Sequence, residues 1–565
     1  MNDPEYSGAL ALFRAGRLAE ARAGADALLA RDASHAEARQ LVAMIVHEEG
    51  VAHHAAGRLA PAIDAYRRAI AAGLALPQAY ANLGQALTSA GRHDEAVPVL
   101  ERAVELDPAN AGAHNFLGAA YFALNRAKEA IARHRRALEL RPDFDAARND
   151  LANALSASGE KEEALAIFRD ILARHPRDEH VLTNMGAVLQ DLGDFDGARA
   201  SFEAALRQKP GFALALNNLG FLLREEGRVA EAVVLFERSL KAAPGNARAQ
   251  YNLALARLGE RRFGEGWRLH EARFRTTPAS SVWRPFPVPV FDAGDFGAGH
   301  RVAIWREQGI GDQILYSTAL ADLEARGEKF VLEIDARLAP ALRRAHPAWS
   351  VAAPAQSQAA FTGCDRHAPM AHMAGLLRPT PESFERQPRV SLAPEPDRAS
   401  RYRNLLAQPG RRVVGISWRS FQPKGRAYVA SRKSAPLAAF EPLAARGDLR
   451  LVDLQYGDTA AERATFRGDL ARIDGLDLFN DLDGVLAAID ACDVVVTTSS
   501  VTAHLAGAAG KRTLLIYLRG LPPFHYWATD PEGRCLWYPS LRVATSEPAA
   551  TWEQAIERVH ELLPG

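Results

Sequence analysis

Residues able to do chemistry gather in two short stretches. The first is Val494-Val-Val-Thr-Thr-Ser-Ser-Val-Thr-Ala-His-Leu-Ala-Gly-Ala-Ala-Gly-Lys511, where β-branched residues run into a Thr/Ser turn and then an Ala- and Leu-rich segment closed by Gly510. It reads as a strand, a turn and a helix ending at a glycine C-cap. The first-turn amides of such a helix have no intrahelical partners and the helix dipole adds partial positive charge, so the turn suits an anion such as a phosphate. Hydroxyls at Thr497, Thr498, Ser499, Ser500 and Thr502 cap that helix or bind the same oxygens, and His504, one turn on, is in range of a phosphate or a ribose. The same residues also fit an ordinary α/β unit with capping serines and a buried histidine. The second stretch is the glycine loop Arg306-Glu-Gln-Gly-Ile-Gly-Asp312.

Both stretches need sheets to position them. Arg301-Val-Ala-Ile-Trp305 is a predicted strand before the glycine loop, Gln313 to Arg326 a helix after it, and Lys329 to Asp335 a second strand. A second lobe begins near Arg411, with strands expected at Arg412 to Trp418, Leu449 to Gln455, Asp493 to Thr497 and Thr513 to Leu518, and a closing helix at Thr551 to Leu563. Strands alternating with helices imply parallel sheets, which bind ligands at the carboxyl ends of their strands. A cleft between two such lobes is a favoured small-molecule site.

The first half of the chain is a repeat array. Prolines 108, 142, 176, 210 and 244 are spaced by 34, and so are Gly50, Gly84, Gly118, Ala152, Gly186, Gly220 and Ala254. A period of 34 with two helices per unit is the tetratricopeptide pattern. The small residues allow close approach of the paired helices, and the prolines stop the second helix. Two residues before the small position stand Asn82, Phe116, Asp150, Asn184, Asn218 and Asn252. Side-chain amides along the concave face of such an array can hydrogen-bond an extended peptide without reading its sequence. The alternative is that they only satisfy the neighbouring helix ends. The expected domains are an array over residues 1–275, a Pro-rich linker over 276–299 carrying Trp283 and Phe286, and lobes over 300–405 and 406–565.

Composition narrows the function classes. Lys and Arg number 68 against 68 Asp and Glu, which argues against a nucleic-acid partner. Cys364, Cys492 and Cys535 are in no metal-like spacing. The start, Met1-Asn-Asp-Pro-Glu5, has no basic n-region or apolar h-region, and no apolar run approaches the roughly 18 residues of a membrane span. A cytoplasmic protein without a membrane segment is expected.

Residues 300–563 resemble the GT-B glycosyltransferases, in particular the heptosyltransferase-like branch. Gly311-Asp312 is similar to that family's Gly-Asp pair, Lys433 in Ser431-Arg-Lys-Ser-Ala-Pro436 to its phosphate-contacting lysine, and Ser500 to Ala508 to its Thr/Ser-x-x-x-His-Leu-Ala-Gly-Ala run. Trp537-Tyr-Pro539 matches its late aromatic motif, while Ser499 stands where the family often carries an acidic residue. Tetratricopeptide repeats joined to such a module are similar to the O-GlcNAc transferases. Trp305-Arg-Glu-Gln-Gly-Ile-Gly-Asp312, Gly415-Ile-Ser-Trp-Arg-Ser420 and Leu454-Gln-Tyr-Gly-Asp458 resemble bacterial tetratricopeptide glycosyltransferases that modify flagellin.

The resemblance implies an α-solenoid of tetratricopeptide repeats followed by an α/β GT-B module of two Rossmann-like lobes. It implies a transferase moving a nonulosonic acid, such as pseudaminic acid, from its CMP conjugate to Ser or Thr of flagellin. Such transfer needs a base and a cationic or dipolar hold on the departing phosphate. Asp312 is the expected base, with a helix cap as its alternative role. Gly309, Gly311, Lys433, Arg419, Ser500 and His504 are expected to bind the donor, with Arg432 as a further cation. Asn82, Asn184, Asn218 and Asn252 are expected to bind the protein acceptor. No Asp-x-Asp pair is evident, so no metal and no cofactor beyond the nucleotide-sugar substrate is called for. The rivals are a UDP-GlcNAc-type transferase and a non-catalytic scaffold with degenerate lobes.

Overall fold

The structure is a computed structural model that describes residues 3–276, 281–420, 433–518, 525–544 and 551–563. Arg432 and linker residues 277–280 lie outside these. The period of 34 appears as helical pairs running from α1 (Pro4–Arg14) to α16 (Phe263–His270). The small residue of each first helix faces a large side chain sixteen positions later. A Cβ on Gly50 would lie 2.7 Å from Tyr66, on Gly118 2.6 Å from His134, and on Gly186 2.6 Å from Phe202, so at these three positions a larger residue requires the facing ring to shift, while Ala152 and Ala254 fill the same position in their repeats. Helices ending at Leu106, Leu140, Arg174, Gln208 and Ala242 are each followed two residues later by a proline. Among the described residues, no helix is long and apolar enough to cross a membrane.

The chain packs as two compact units, Met1–Gln208 and Lys209–Gly565. This division differs from the boundary expected at residue 275. The physical reason is that the last helical pair, α15 (Ala247–Gly259) with α16, packs into the core of the sheets, and α13 (Ala213–Glu225) with α14 (Val229–Ala242) packs on that pair. Leu258, Phe263 and Trp267 lie in one apolar core with residues of both sheets. Trp267 Nε1 donates to the Arg378 carbonyl at 3.0 Å, and a Cβ on Gly375 would sit 3.0 Å from Trp267 Cγ. In the linker, Trp283 packs edge-on against Phe274 at 5.1 Å and Trp305 at 5.8 Å, and Phe286 stacks on His367 at 4.4 Å.

Both sheets are parallel. The first holds β1 (Arg301–Trp305), β2 (Lys329–Glu333), β3 (Ser350–Ala352) and β4 (Arg366–Pro369) in the order β3-β2-β1-β4. The second holds β5 (Arg412–Ser417), β6 (Leu449–Asp453), β7 (Leu470–Ala471), β8 (Val494–Thr497), β9 (Thr513–Leu515) and β10 (Leu541–Val543) in the order β10-β9-β8-β5-β6-β7. The chain leaves β5 toward β6 and β7, then returns to β8 on the other side, so the order reverses between β5 and β8. It reverses likewise at β1, which lies between β2 and β4. Ligands of parallel sheets bind at such switch points. The Val494–Thr497 strand, its turn and the Val501–Ala508 helix stand as the sequence indicated, with Gly510 at φ +70° closing the helix.

Candidate functional site

The two chemistry-bearing stretches follow the two switch-point strands. Gly309-Ile-Gly-Asp312 opens helix α17 (Ile310–Ser317) directly after β1, and Thr497 to Ser500 lead into the Val501–Ala508 helix after β8. These helices pack on each other through their first turns. Gly311 makes the approach possible, since a Cβ there would lie 2.9 Å from His504 Cδ2 and 3.1 Å from its Nε2. His504 is only 6% exposed. Its Nδ1 pairs with the Tyr538 hydroxyl at 2.9 Å, and its ring stacks on Trp527 at 4.7 Å and meets Tyr526 edge-on at 5.2 Å. The late Trp537-Tyr-Pro motif therefore serves to fix His504.

The Thr/Ser turn is built open at the helix start. Ser500 is the N-cap, yet its hydroxyl pairs with Thr497 Oγ1 at 3.1 Å and caps no amide. Thr498 is fully buried, its amide donates to the Ser417 carbonyl at 3.1 Å, and its hydroxyl has no hydrogen-bond partner. An uncapped helix start beside a buried, unpaired hydroxyl is a receptive place for an anion's oxygens. Ser499 accepts from Trp527 Nε1 at 3.0 Å and pairs with the Tyr526 hydroxyl, so Ser499 is part of the aromatic wall. Gln455 shapes the neighbouring strand end, its Oε1 accepting from the amides of Trp418 at 2.8 Å and Arg419 at 2.6 Å.

Asp312 sits in the first turn of α17, with its carboxylate over Gly309, where a Cβ would be 3.5 Å from Oδ2. Burial first, and then the Glu307 carboxylate, push its pKa up to about 6; the Gly309 amide, the Lys433 ammonium and its own amide pull the other way. The bond from Gly309 is half of a capping box, so Asp312 does help to cap α17. It is nonetheless a carboxylate that burial holds near neutrality, which capping alone does not require. Glu307 is held by Arg273, whose Nε and Nη2 donate to its two oxygens at 2.6 and 3.0 Å, with both side chains essentially unexposed.

Around Asp312 stand four phenols, of which only Tyr538, in the Trp537-Tyr-Pro539 motif, was singled out from the sequence. Burial, and to a lesser degree the charge of Asp312, raises the pKa of Tyr251, Tyr316, Tyr526 and Tyr538, so all four remain hydrogen-bond donors at neutral pH. Tyr251 comes from repeat helix α15, which packs on the turn that carries Tyr526 and Trp527. One signal was available: earlier repeats carry Ala81, Asn115, Asn149, Thr183 and Asn217 at the Tyr251 position, so an aromatic there breaks the period. Glu307, inside the glycine loop, was in plain view.

The other predicted residues are placed as follows. Lys433 is half-buried and close enough to Asp312 to lower its pKa. Arg419 is engaged instead with the Asp458 carbonyl and with Glu462 at 3.5 Å. The asparagine column forms a ladder between successive first helices. The amide of Asn82 pairs with His47 at 3.1 Å, Asn184 donates to Asn149 at 3.2 Å, and Asn252 donates to Asn217 at 2.9 Å, each step 35 residues long. Asp150 closes the same step by accepting from Asn115 at 3.1 Å, while Asn218 accepts from its neighbour Asn217 at 3.3 Å. Inter-repeat bonding thus engages Asn82, Asn184 and Asn252 through side chains of the preceding first helix and not through helix ends.

Tetratricopeptide-repeat models match residues 84–125, 121–184, 183–247 and 222–266. The helical array is made of tetratricopeptide repeats. Over 309 residues the chain is 31% identical to Protein FlbA of Caulobacter vibrioides, and the match covers 50% of each chain. The chain thus spans about half the length of this curated relative. Similar solved structures include a tetratricopeptide-repeat protein of Parabacteroides merdae (17% identity, 45% of this chain and 99% of that one, TM-score 0.37). They also include a thermophilic repeat protein of Thermus thermophilus (25% identity, 32% and 99%, TM-score 0.30) and yeast Tom70 (19% identity, 46% and 56%, TM-score 0.35).

Proposed function

We propose that the chain is a GT-B glycosyltransferase that moves a sugar from a nucleotide donor to Ser or Thr hydroxyls of a protein. The observation that carries this reading is the meeting of two switch-point helix starts at Asp312, His504 and Lys433. In the proposed reaction the acceptor hydroxyl gives its proton to the Asp312 carboxylate, and its oxygen forms a bond to the sugar's anomeric carbon. The bond from that carbon to the phosphate oxygen breaks, and the electron pair leaves with the phosphate. The open amides of the Val501–Ala508 helix and the Lys433 ammonium stabilise that leaving anion. A carboxyl titrating near 6 is ionised at neutral pH yet basic enough to take up a proton in the transition state.

The repeats supply the acceptor surface in this reading, because a protein substrate gives a sugar transferase a use for a long helical array. The sequence resemblance favours a nonulosonic acid such as pseudaminic acid, carried by CMP, and flagellin as the acceptor. Incubating the purified chain with CMP-linked and UDP-linked sugars side by side tests the donor. Release of CMP that depends on acceptor supports the reading. Release of UDP alone would favour a UDP-GlcNAc-type transferase, and release of neither would favour a scaffold.

A further inference from the structure

The last two repeats contribute side chains to the neighbourhood of Asp312 as well as surface. Helices α13 and α15 pack together, joined by the Asn252 to Asn217 bond at 2.9 Å. Arg224 lies at the end of α13 with its side chain 11% exposed and its guanidinium 4.9 Å from the Phe221 ring. Its Nη2 donates to Glu225 at 3.0 Å, but its Nη1 is buried and has no hydrogen-bond partner. Tyr251, on α15, stands against His270 with ring centroids 5.4 Å apart. From there the contacts run through the Tyr526-Trp527 turn to His504, and on to Gly311 and the start of α17.

A buried guanidinium hydrogen without an acceptor is costly to leave unmet, and a fixed fork of donors suits a carboxylate or phosphate. We propose that Arg224 and Tyr251 form an anion subsite on the repeat side of Asp312, which takes the carboxylate of an acidic donor sugar. The arrangement divides the donor's charges. Lys433 and the Val501–Ala508 helix start face the leaving phosphate, and the repeats face a second anionic group. The electrostatics agree, since Arg224 and Asp312 both act on the Tyr251 phenol, in opposite directions. Tyr251 stays protonated and can donate to the same anion. The proposal rests on the transferase reading and adds which residues of the repeats receive the carboxylate of an acidic donor sugar.

The test is titration calorimetry of the full chain and its Arg224→Met, Arg224→Lys and Tyr251→Phe variants with three probes: CMP, a CMP-linked nonulosonic acid and UDP-GlcNAc. Loss of a hydrogen bond to a charged group predicts about tenfold or more weaker binding of the acidic conjugate by Arg224→Met, with CMP affinity unchanged. Arg224→Lys keeps the charge but not the fork, and Tyr251→Phe keeps the ring, so each should show a smaller loss confined to the acidic conjugate. These two variants decide the matter should Arg224→Met fail to fold. An equal loss for CMP alone would assign Arg224 to the phosphate and overturn the carboxylate subsite, as would unchanged affinity for the acidic conjugate. If the unaltered chain binds none of the probes, the transferase reading itself falls.

Discussion

Replacing Asp312 by asparagine separates a base from a helix cap, because the two roles predict stability changes of opposite sign. The carboxyl titrates at about 6 in the folded chain against an ordinary 3.8, a gap worth about 3 kcal/mol at 1.36 kcal/mol per pH unit. With a raised folded value, the unfolded chain loses its proton first. Stability therefore falls as pH rises from about 3.8 to about 6 and stays lowered above that. The substituted carboxamide carries no charge, yet its oxygen can still accept from the Gly309 amide. Asp312→Asn should thus match the unaltered chain near pH 3.5 and exceed it by up to about 3 kcal/mol at pH 8, while turnover falls by about a hundredfold or more. All eight tryptophans lie within Lys209–Gly565, so denaturant unfolding followed by tryptophan fluorescence reads the unit that holds Asp312. A variant no more stable than the unaltered chain at pH 8, with its turnover kept, would show that the carboxylate is there to cap α17, and would refute its assignment as the base.

Further outcomes follow from the same geometry. Gly311→Ala places a Cβ 2.9 Å from His504, so it should destabilise the tryptophan-bearing unit by about 1–3 kcal/mol and weaken nucleotide binding; unchanged melting and affinity would mean that the two helix starts are not tightly apposed. Lys433→Ala and His504→Ala should each lower kcat/KM by about two orders of magnitude, and wild-type turnover by both in a purified assay would remove them from the donor site. A fragment beginning at Lys209 should be soluble and unfold cooperatively, whereas one beginning at residue 276 lacks Trp267 and leaves Glu307 buried without Arg273, a defect worth about 3–5 kcal/mol; equal stability of the two fragments by circular dichroism would contradict the shared core.

The repeats were legible because their signal is periodic: small residues and prolines recur every 34 positions for a packing reason that the Gly118 to His134 and Gly186 to Phe202 approaches make visible. The parallel sheets were legible from strands alternating with helices, and the two switch-point loops from glycine and hydroxyl clusters. What was hidden depends on contacts between distant segments. Arg273 and Glu307, Trp267 and the Arg378 carbonyl, and His504 and Tyr538 belong to no repeat or motif spacing, so neither the shared core nor the phenol-lined site could be read from periodicity. The asparagine column was visible, but the partners that Asn82, Asn184 and Asn252 find one step of 35 away were not.

Whether the chain is a transferase acting through Asp312 is decided by the intact mass of flagellin, purified after co-expression with the unaltered chain or with Asp312→Asn in cells that make a CMP-linked nonulosonic acid. Such a transferase adds mass in steps of one acidic sugar when unaltered and leaves flagellin bare when Asp312 is replaced. Identical masses in the two preparations, modified or not, would contradict it.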